Sequence, residues 1–300
     1  MEKGNAPQRA QFDMLRDEIK AQIASGKPFP KPRKTMQALD TVRDEAWESD
    51  WLEAFVLFNC YRRGLPARTH GALFTLRKRL FASGAAARFE GIVSHIKDIL
   101  HPEFITPHGY NLTFSEMDTS GVMNALGAAF APLMALECPI FLYAGALLGY
   151  VRSRELIGHD DDVDIGIYLG EMADENVPVA WHAYKRKLAA AGLLAENEAE
   201  MNNMSFKITT DLICDVDVFA AWTNGDHFSV YPYSLNELTR DKLLPLKSFG
   251  QDPLMLPADV EALLAQSYGE GWRLPDPFFH LDWKKKKKMF HLLAGQDYTI

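Results

Sequence analysis

Four aspartates fall in the stretch HDDDVDIGIY (159–168): Asp160, Asp161, Asp162 and Asp164. Two more, Asp215 and Asp217, fall in CDVDVF (214–219). Both stretches alternate polar and apolar residues as a β-strand does. Alternation sends every second side chain to the same face, so Asp162 and Asp164 share a face, as do Asp215 and Asp217. Carboxylates gathered on one strand face repel one another and resist desolvation. A bound cation resolves that conflict, and hard carboxylate oxygens suit Mg²⁺ or Mn²⁺. The chemistry such a platform supports is phosphoryl transfer, in which a metal offsets charge on phosphoryl oxygens and one carboxylate serves as general base.

Three elements must converge to make this site. One strand carries Asp162 and Asp164. A second carries Asp217, with Asp215 undecided between ligand and bystander. The segment Gly145-Ala-Leu-Leu-Gly149 follows a short apolar strand, PIFLY (139–143), and opens a helix through Arg152. A glycine turn at a helix start lets phosphate approach backbone N–H groups, and Arg152 is placed to pair with a phosphate oxygen. Lys207 lies mid-strand in MSFKITT (204–210), where a charge needs a partner, and is read as an active-site contact. Asp161 alternates to the opposite face and is read as structural, and His159 as a loop histidine.

Elsewhere the pattern predicts helices over 11–24, 36–66, 86–100, 118–136, 177–192 and 258–268. It predicts strands over 162–168, 204–210 and 212–219, the last two joined by a tight turn near Asp211. Residues 1–110 read as a mostly helical region with a flexible start, and 111–300 as a catalytic domain of alternating helices and strands, α/β or α+β in class. The tail, with Lys284–Lys288, reads as irregular; those lysines are solvated or touch an anionic donor, lipid-linked acceptor or membrane surface.

The net charge of −8 argues against nucleic-acid binding, which leaves a basic footprint. The three cysteines, Cys60, Cys138 and Cys214, are scattered without CxxC spacing, so neither a disulfide framework nor a zinc site is expected, as suits a reducing cytoplasm. No apolar run is long enough to span a bilayer.

The segment FLYAGALLGYVRSRELIGHDDDVDIGIYLG (141–170) resembles the LicD/fukutin family. There a glycine turn leads to Leu-Leu-Gly, an arginine and an Asp-rich strand. Asp217-Val218-Phe219 is similar to a later family element, and LPADVEALLAQSYGEGWRLPDP (256–277) to its C-terminal signature. The resemblance implies an α+β, nucleotidyltransferase-like core: a small mixed sheet flanked by helices. It also implies transfer of a phospho-alcohol, such as phosphocholine, ribitol phosphate or glycerol phosphate, from a CDP-activated donor to a sugar hydroxyl of a glycan or lipid-linked saccharide, with release of CMP. Carried over by position, Asp160, Asp162, Asp164 and Asp217 are the metal and catalytic carboxylates; Gly145, Gly149, Arg152 and Lys207 are read as donor contacts from their own types and placement. Two alternatives are transfer of a nucleotide from an NTP and a non-catalytic binding protein. Ala146 stands where the family carries Thr or Ser, and Gly158-His159 where Pro-Trp is common.

Overall fold

A computed structural model describes residues 6–119, 122–136, 138–194, 204–208, 210, 212, 214–249, 252–276, 278–279, 281 and 283–290. The chain divides into two compact units, one of residues 1–116 with 278–280, the other of 117–277 with 281–300.

The first unit is built on helices α1 (Ala6–Ala24), α2 (Pro32–Thr41), α3 (Glu48–Tyr61), α4 (Pro66–Ala82) and α5 (Ala86–Leu100). The helix expected over 36–66 is interrupted: Asp44 accepts a hydrogen bond from the Ala46 N–H and caps a single 3₁₀ turn before α3. Such a cap satisfies an N–H left over at a helix start. From Trp51 to Cys60 every α3 residue is buried, so this helix is the unit's centre rather than an amphipathic face. Pro66 starts α4, a helix not expected from the pattern, since proline lacks an N–H and suits the first turn. A hairpin follows, β1 (Phe104–Ile105) with β2 (Tyr110–Asn111).

The second unit is mixed α+β, as expected. Its sheet is built from β3 (Ile140–Leu142), β4 (Asp162–Glu171), β5 (Ser205–Ile208), β6 (Asp215–Asn224), β7 (His227–Val230), β8 (Ser234–Thr239), β9 (Lys247–Phe249) and β10 (Asp252–Leu256). The order is β8-β7-β6-β4-β3-β10-β9, with β5 also paired to β6. Eight strands make this wider than the small sheet expected from the sequence. The extra strands β7–β10 are short, and β8 is mostly polar, so alternation alone does not announce them. Helices α6 (Val122–Met134), α7 (Ala144–Ser153), α8 (Val177–Ala190), the short α9 (Arg240–Leu243) and α10 (Val260–Tyr268) complete the unit with α11 (Trp283–Phe290). The tail read as irregular therefore holds a helix. Its Phe290 is buried, 5.1 Å from Tyr231 and 6.2 Å from Trp222 between ring centroids. The turn expected near Asp211 lies outside the described residues.

The inner strands explain their own burial. Val163, Ile165 and Ile167 of β4, with Val216, Val218 and Ala220 of β6, are all fully buried. They share one side of the sheet because β4 and β6 run parallel with Val163 opposite Val216 and Ile165 opposite Val218. The aspartates at alternate positions are thereby forced to the other side.

Candidate active site

The register of β4 and β6 builds the site. Asp162 pairs with Asp215 and Asp164 with Asp217. Paired residues on neighbouring strands face the same way, so four carboxylates form a two-by-two grid. Within it Asp162, Asp164 and Asp217 each offer an oxygen within 4.8 Å of the others. Asp215 lies at the open edge with its side chain 70% exposed, against 18% for Asp217.

Helix α7 supplies the other wall. Ala144 adopts a left-handed φ of 37°, turning the chain sharply from β3 into the helix, a conformation that costs about 1 kcal/mol or more outside glycine. The turn aims the Gly145 N–H at Asp164, whose Oδ2 accepts it at 2.8 Å. A Cβ at Gly145 would lie 2.5 Å from Asp160 Oδ2 and 3.1 Å from Asp164 Oδ2. Glycine is needed there because the carboxylates pack directly on the helix backbone. The Gly145 N–H, expected to greet a phosphate, instead holds a carboxylate. Gly149 has a comparable constraint: a Cβ would lie 2.4 Å from the Glu155 carbonyl oxygen. It admits the loop that carries the chain to Asp160, and so acts at a distance from the carboxylates.

Lys207 pairs with Asp217 across the β5–β6 ladder. Its Nζ lies 2.9 Å from Asp217 Oδ1 and 3.0 Å from Asp215 Oδ2. Burial alone would lower the Lys207 pKa, but Asp217 and then Asp215 outweigh it and push the ammonium upward. The carboxyls of Asp160 and Asp164 are pushed well above the usual carboxylate range, first by burial and next by Asp162. The Gly145 N–H works in the opposite direction on Asp164. The Cys214 thiol is pushed up to about 11 by burial and by Asp162.

Arg152 does not point a free guanidinium at the cluster. Its Nη2 donates to the Leu274 carbonyl at 2.8 Å and also to the Trp272 carbonyl, tying α7 to the segment after α10. His159 is kept below its ordinary pKa by burial and by Arg152. Asp161 is buried and donates its backbone N–H to Asp160 Oδ1 at 3.1 Å, bracing the loop before β4.

Three tyrosines passed over in the sequence border the cluster. The Tyr143 and Tyr233 rings are 5.6 Å apart edge to face, and Tyr233 and Tyr268 are 6.0 Å apart. Burial raises all three hydroxyl pKa values, and Asp164 adds to the rise in each. Tyr143 immediately precedes the glycine turn and Tyr268 ends the helix of the C-terminal signature, so both had a signal. Tyr233 had none.

Residues 137–258 match the model of the LicD/FKTN/FKRP nucleotidyltransferase domain. Over that segment the chain is similar to the LicD family. The matched segment holds every aspartate of the grid together with Asp160, Gly145 and Lys207, and stops short of Tyr268. LicD-family proteins are generally phosphotransferases. A search of curated proteins finds no significant match.

The donor set of this LicD-like segment fits a divalent cation. Its ligand atoms are all carboxylate oxygens, the ligands of hard ions. Asp160, Asp162, Asp164 and Asp217 bring four carboxylates together, and the ion pairs of the described residues set one ammonium, that of Lys207, beside them. Buried like charges in that excess are stable only when protonated or when a cation joins them. A separate open cavity of about 930 Å³, lined by Pro139, Tyr168, Leu244, Leu246 and Met255 among others, includes none of these aspartates. No described helix is long and apolar enough to cross a membrane.

Proposed function

We propose that the chain is a divalent-metal-dependent phosphotransferase that moves a phospho-alcohol from a CDP-activated donor to a sugar hydroxyl, releasing CMP. The observation that carries this reading is the parallel register that sets Asp162 and Asp164 against Asp215 and Asp217, beside the α7 turn, inside the LicD-like segment.

Asp162, Asp164 and Asp217, joined by Asp160, would hold Mg²⁺ or Mn²⁺. The ion would supply positive charge to the donor diphosphate and lower its cost of attack. The chain's own residues do the rest. Gly145 holds Asp164 in place through its N–H, and the absence of a side chain there leaves room for Asp160. The acceptor hydroxyl oxygen forms a bond to the phosphorus bearing the alcohol. The P–O bond to CMP breaks, and its electron pair leaves with CMP. The hydroxyl proton passes to a carboxylate of the cluster acting as general base. Arg152 contributes by fixing the segment after α10 against α7 rather than by gripping the donor.

The acceptor in this reading is a saccharide of a glycan or lipid-linked precursor. Lys285 and Lys288 are exposed on α11 and would meet an anionic headgroup if that precursor is membrane-bound, while Lys286 is turned inward onto the Tyr233 carbonyl at 2.6 Å.

The test is incubation of the protein with Mg²⁺ and CDP-choline, CDP-ribitol or CDP-glycerol, with and without acceptor sugars. CMP release that depends on metal and is stimulated by a sugar supports the proposal. Pyrophosphate release from CTP, with no CMP from any CDP-alcohol, would instead indicate nucleotidyl transfer.

A further inference from the structure

The β6 side of the grid is closed by a charge that belongs to the protein. Lys207 projects from β5 directly opposite Asp217, and its ammonium sits between two carboxylates, 2.9 Å from Asp217 Oδ1 and 3.0 Å from Asp215 Oδ2. Asp217 is at the same time one of the three carboxylates whose oxygens lie within 4.8 Å of one another. It is therefore shared between a candidate metal position and an ammonium. In two-metal phosphoryl-transfer sites the ions stand about 3.5–4 Å apart and share a bridging carboxylate, one serving the attacking oxygen and one the leaving oxygen.

Here the sharing carboxylate already has a cation on its β6–β5 side. A second divalent ion at Asp217 and Asp215 would need the oxygens that Lys207 engages, and would stand against a positive charge at contact distance. What is left for a metal is Asp162, Asp164 and the remaining capacity of Asp217, with Asp160 beside them.

We propose that Lys207 stands in for a second metal ion, so that the site takes one divalent cation and the ammonium supplies the other positive charge. In the phosphotransfer reading, on which this inference rests, the lysine faces the leaving phosphate. The bond that breaks leaves its electron pair on a CMP oxygen, and the Lys207 ammonium balances that charge without giving up its proton. An ammonium has three donors and no fixed coordination geometry, so it can turn from Asp217 to a phosphate oxygen while the strand pairing keeps its stem in place.

The experiment counts metal ions on the full chain, using Mn²⁺ alone. Calorimetric titration and electron paramagnetic resonance are run on the wild type, Lys207→Met and Lys207→Arg, with circular dichroism to confirm folding. The expected counts are one ion in the wild type, one in Lys207→Arg and two in Lys207→Met. The first ion in Lys207→Met should bind about tenfold or more tightly, because a like charge at contact distance has been removed. Two ions on the wild type would overturn the proposal, and so would a single ion of unchanged affinity on folded Lys207→Met. Either result leaves the metal-dependent reading standing, whereas no Mn²⁺ binding by any variant overturns both. If Lys207→Met does not fold, the wild-type and Lys207→Arg counts decide, one ion on each in favour and two on either against.

Discussion

Carboxylates are treated in opposite ways in the two units. In the helical unit Asp50 lies between Arg9 and Arg88, at 3.0 and 2.7 Å, and Glu53 accepts from Arg88 and pairs with Lys20 at 3.1 Å. Glu48 takes Arg43 at 2.6 Å. Burial works to raise the Asp50 pKa, yet Arg88 and Arg9 overcome it and hold the carboxyl below its ordinary value. In the α+β unit Asp160 and Asp164 are pushed the other way, first by burial and next by Asp162, and among the described residues no guanidinium contributes to either. A carboxylate supplied with arginine is finished structure. A carboxylate set against other carboxylates keeps a charge that only a proton or a cation can offset.

The most severe way to break that contrast is to remove a member of each set. Asp162→Asn should abolish metal-dependent CMP release, with a loss of at least about a thousandfold, since a metal ligand acts on the transition state itself. Asp50→Asn should leave turnover untouched, and turnover assays on both variants compare them directly. Retained activity in Asp162→Asn would remove the aspartate grid from the chemistry.

Gly145→Ala should come next. Its methyl group would press on Asp160 Oδ2 at 2.5 Å and displace a carboxylate rather than disturb the core. Metal affinity is expected to fall roughly tenfold, about 1.4 kcal/mol, with little change in melting temperature. Titration with Mn²⁺ alongside a thermal melt checks both parts.

The pH dependence of stability sharpens the comparison by sign. Asp164 has a raised pKa in the folded metal-free protein, so its ionisation is a cost. That cost is absent below the unfolded carboxylate pKa of about 3.9 and grows as pH rises from there toward the folded value. Asp164→Asn should therefore stabilise the metal-free protein above about pH 4, with the gain vanishing at lower pH. Asp50 is the reverse case: its contribution is present above about pH 4 and is lost as pH falls through its depressed folded pKa. Asp50→Asn should cost at most about 1 kcal/mol at neutral pH, because the pair is partly exposed and screened. Urea unfolding of both variants against wild type across pH 3–8 should show differences of opposite sign.

How much of this was legible beforehand divides along physical lines. Alternation in 162–168 and 214–219 was enough to put Asp162 with Asp164, and Asp215 with Asp217, on shared faces, because strand periodicity is local. The parallel register that places Asp164 opposite Asp217 is a long-range property, and no local pattern encodes it. For the same reason Lys207 read as an active-site contact, while its position between Asp215 and Asp217 needed the β5–β6 pairing. Asp160 enters through a loop whose course depends on Gly145 and Gly149 being small. The anchoring of Arg152 on the carbonyls of Trp272 and Leu274 could not be read from local pattern, because they are 120 and 122 residues away in sequence. Helix α11 was hidden by its run of lysines, which masks the buried Phe290 that anchors it.

The central claim is that the aspartates of the β4–β6 face are organised to receive a divalent cation. Thermal unfolding of the wild type and of Asp164→Asn, each with EDTA or saturating Mn²⁺, tests it most directly. Ligand binding to the folded state at a hundred times its dissociation constant adds about 2.7 kcal/mol. The account predicts a rise in melting temperature with Mn²⁺ in the wild type, reversed by EDTA, and little or none in Asp164→Asn. No rise in the wild type, or an equal rise in both proteins, would contradict it.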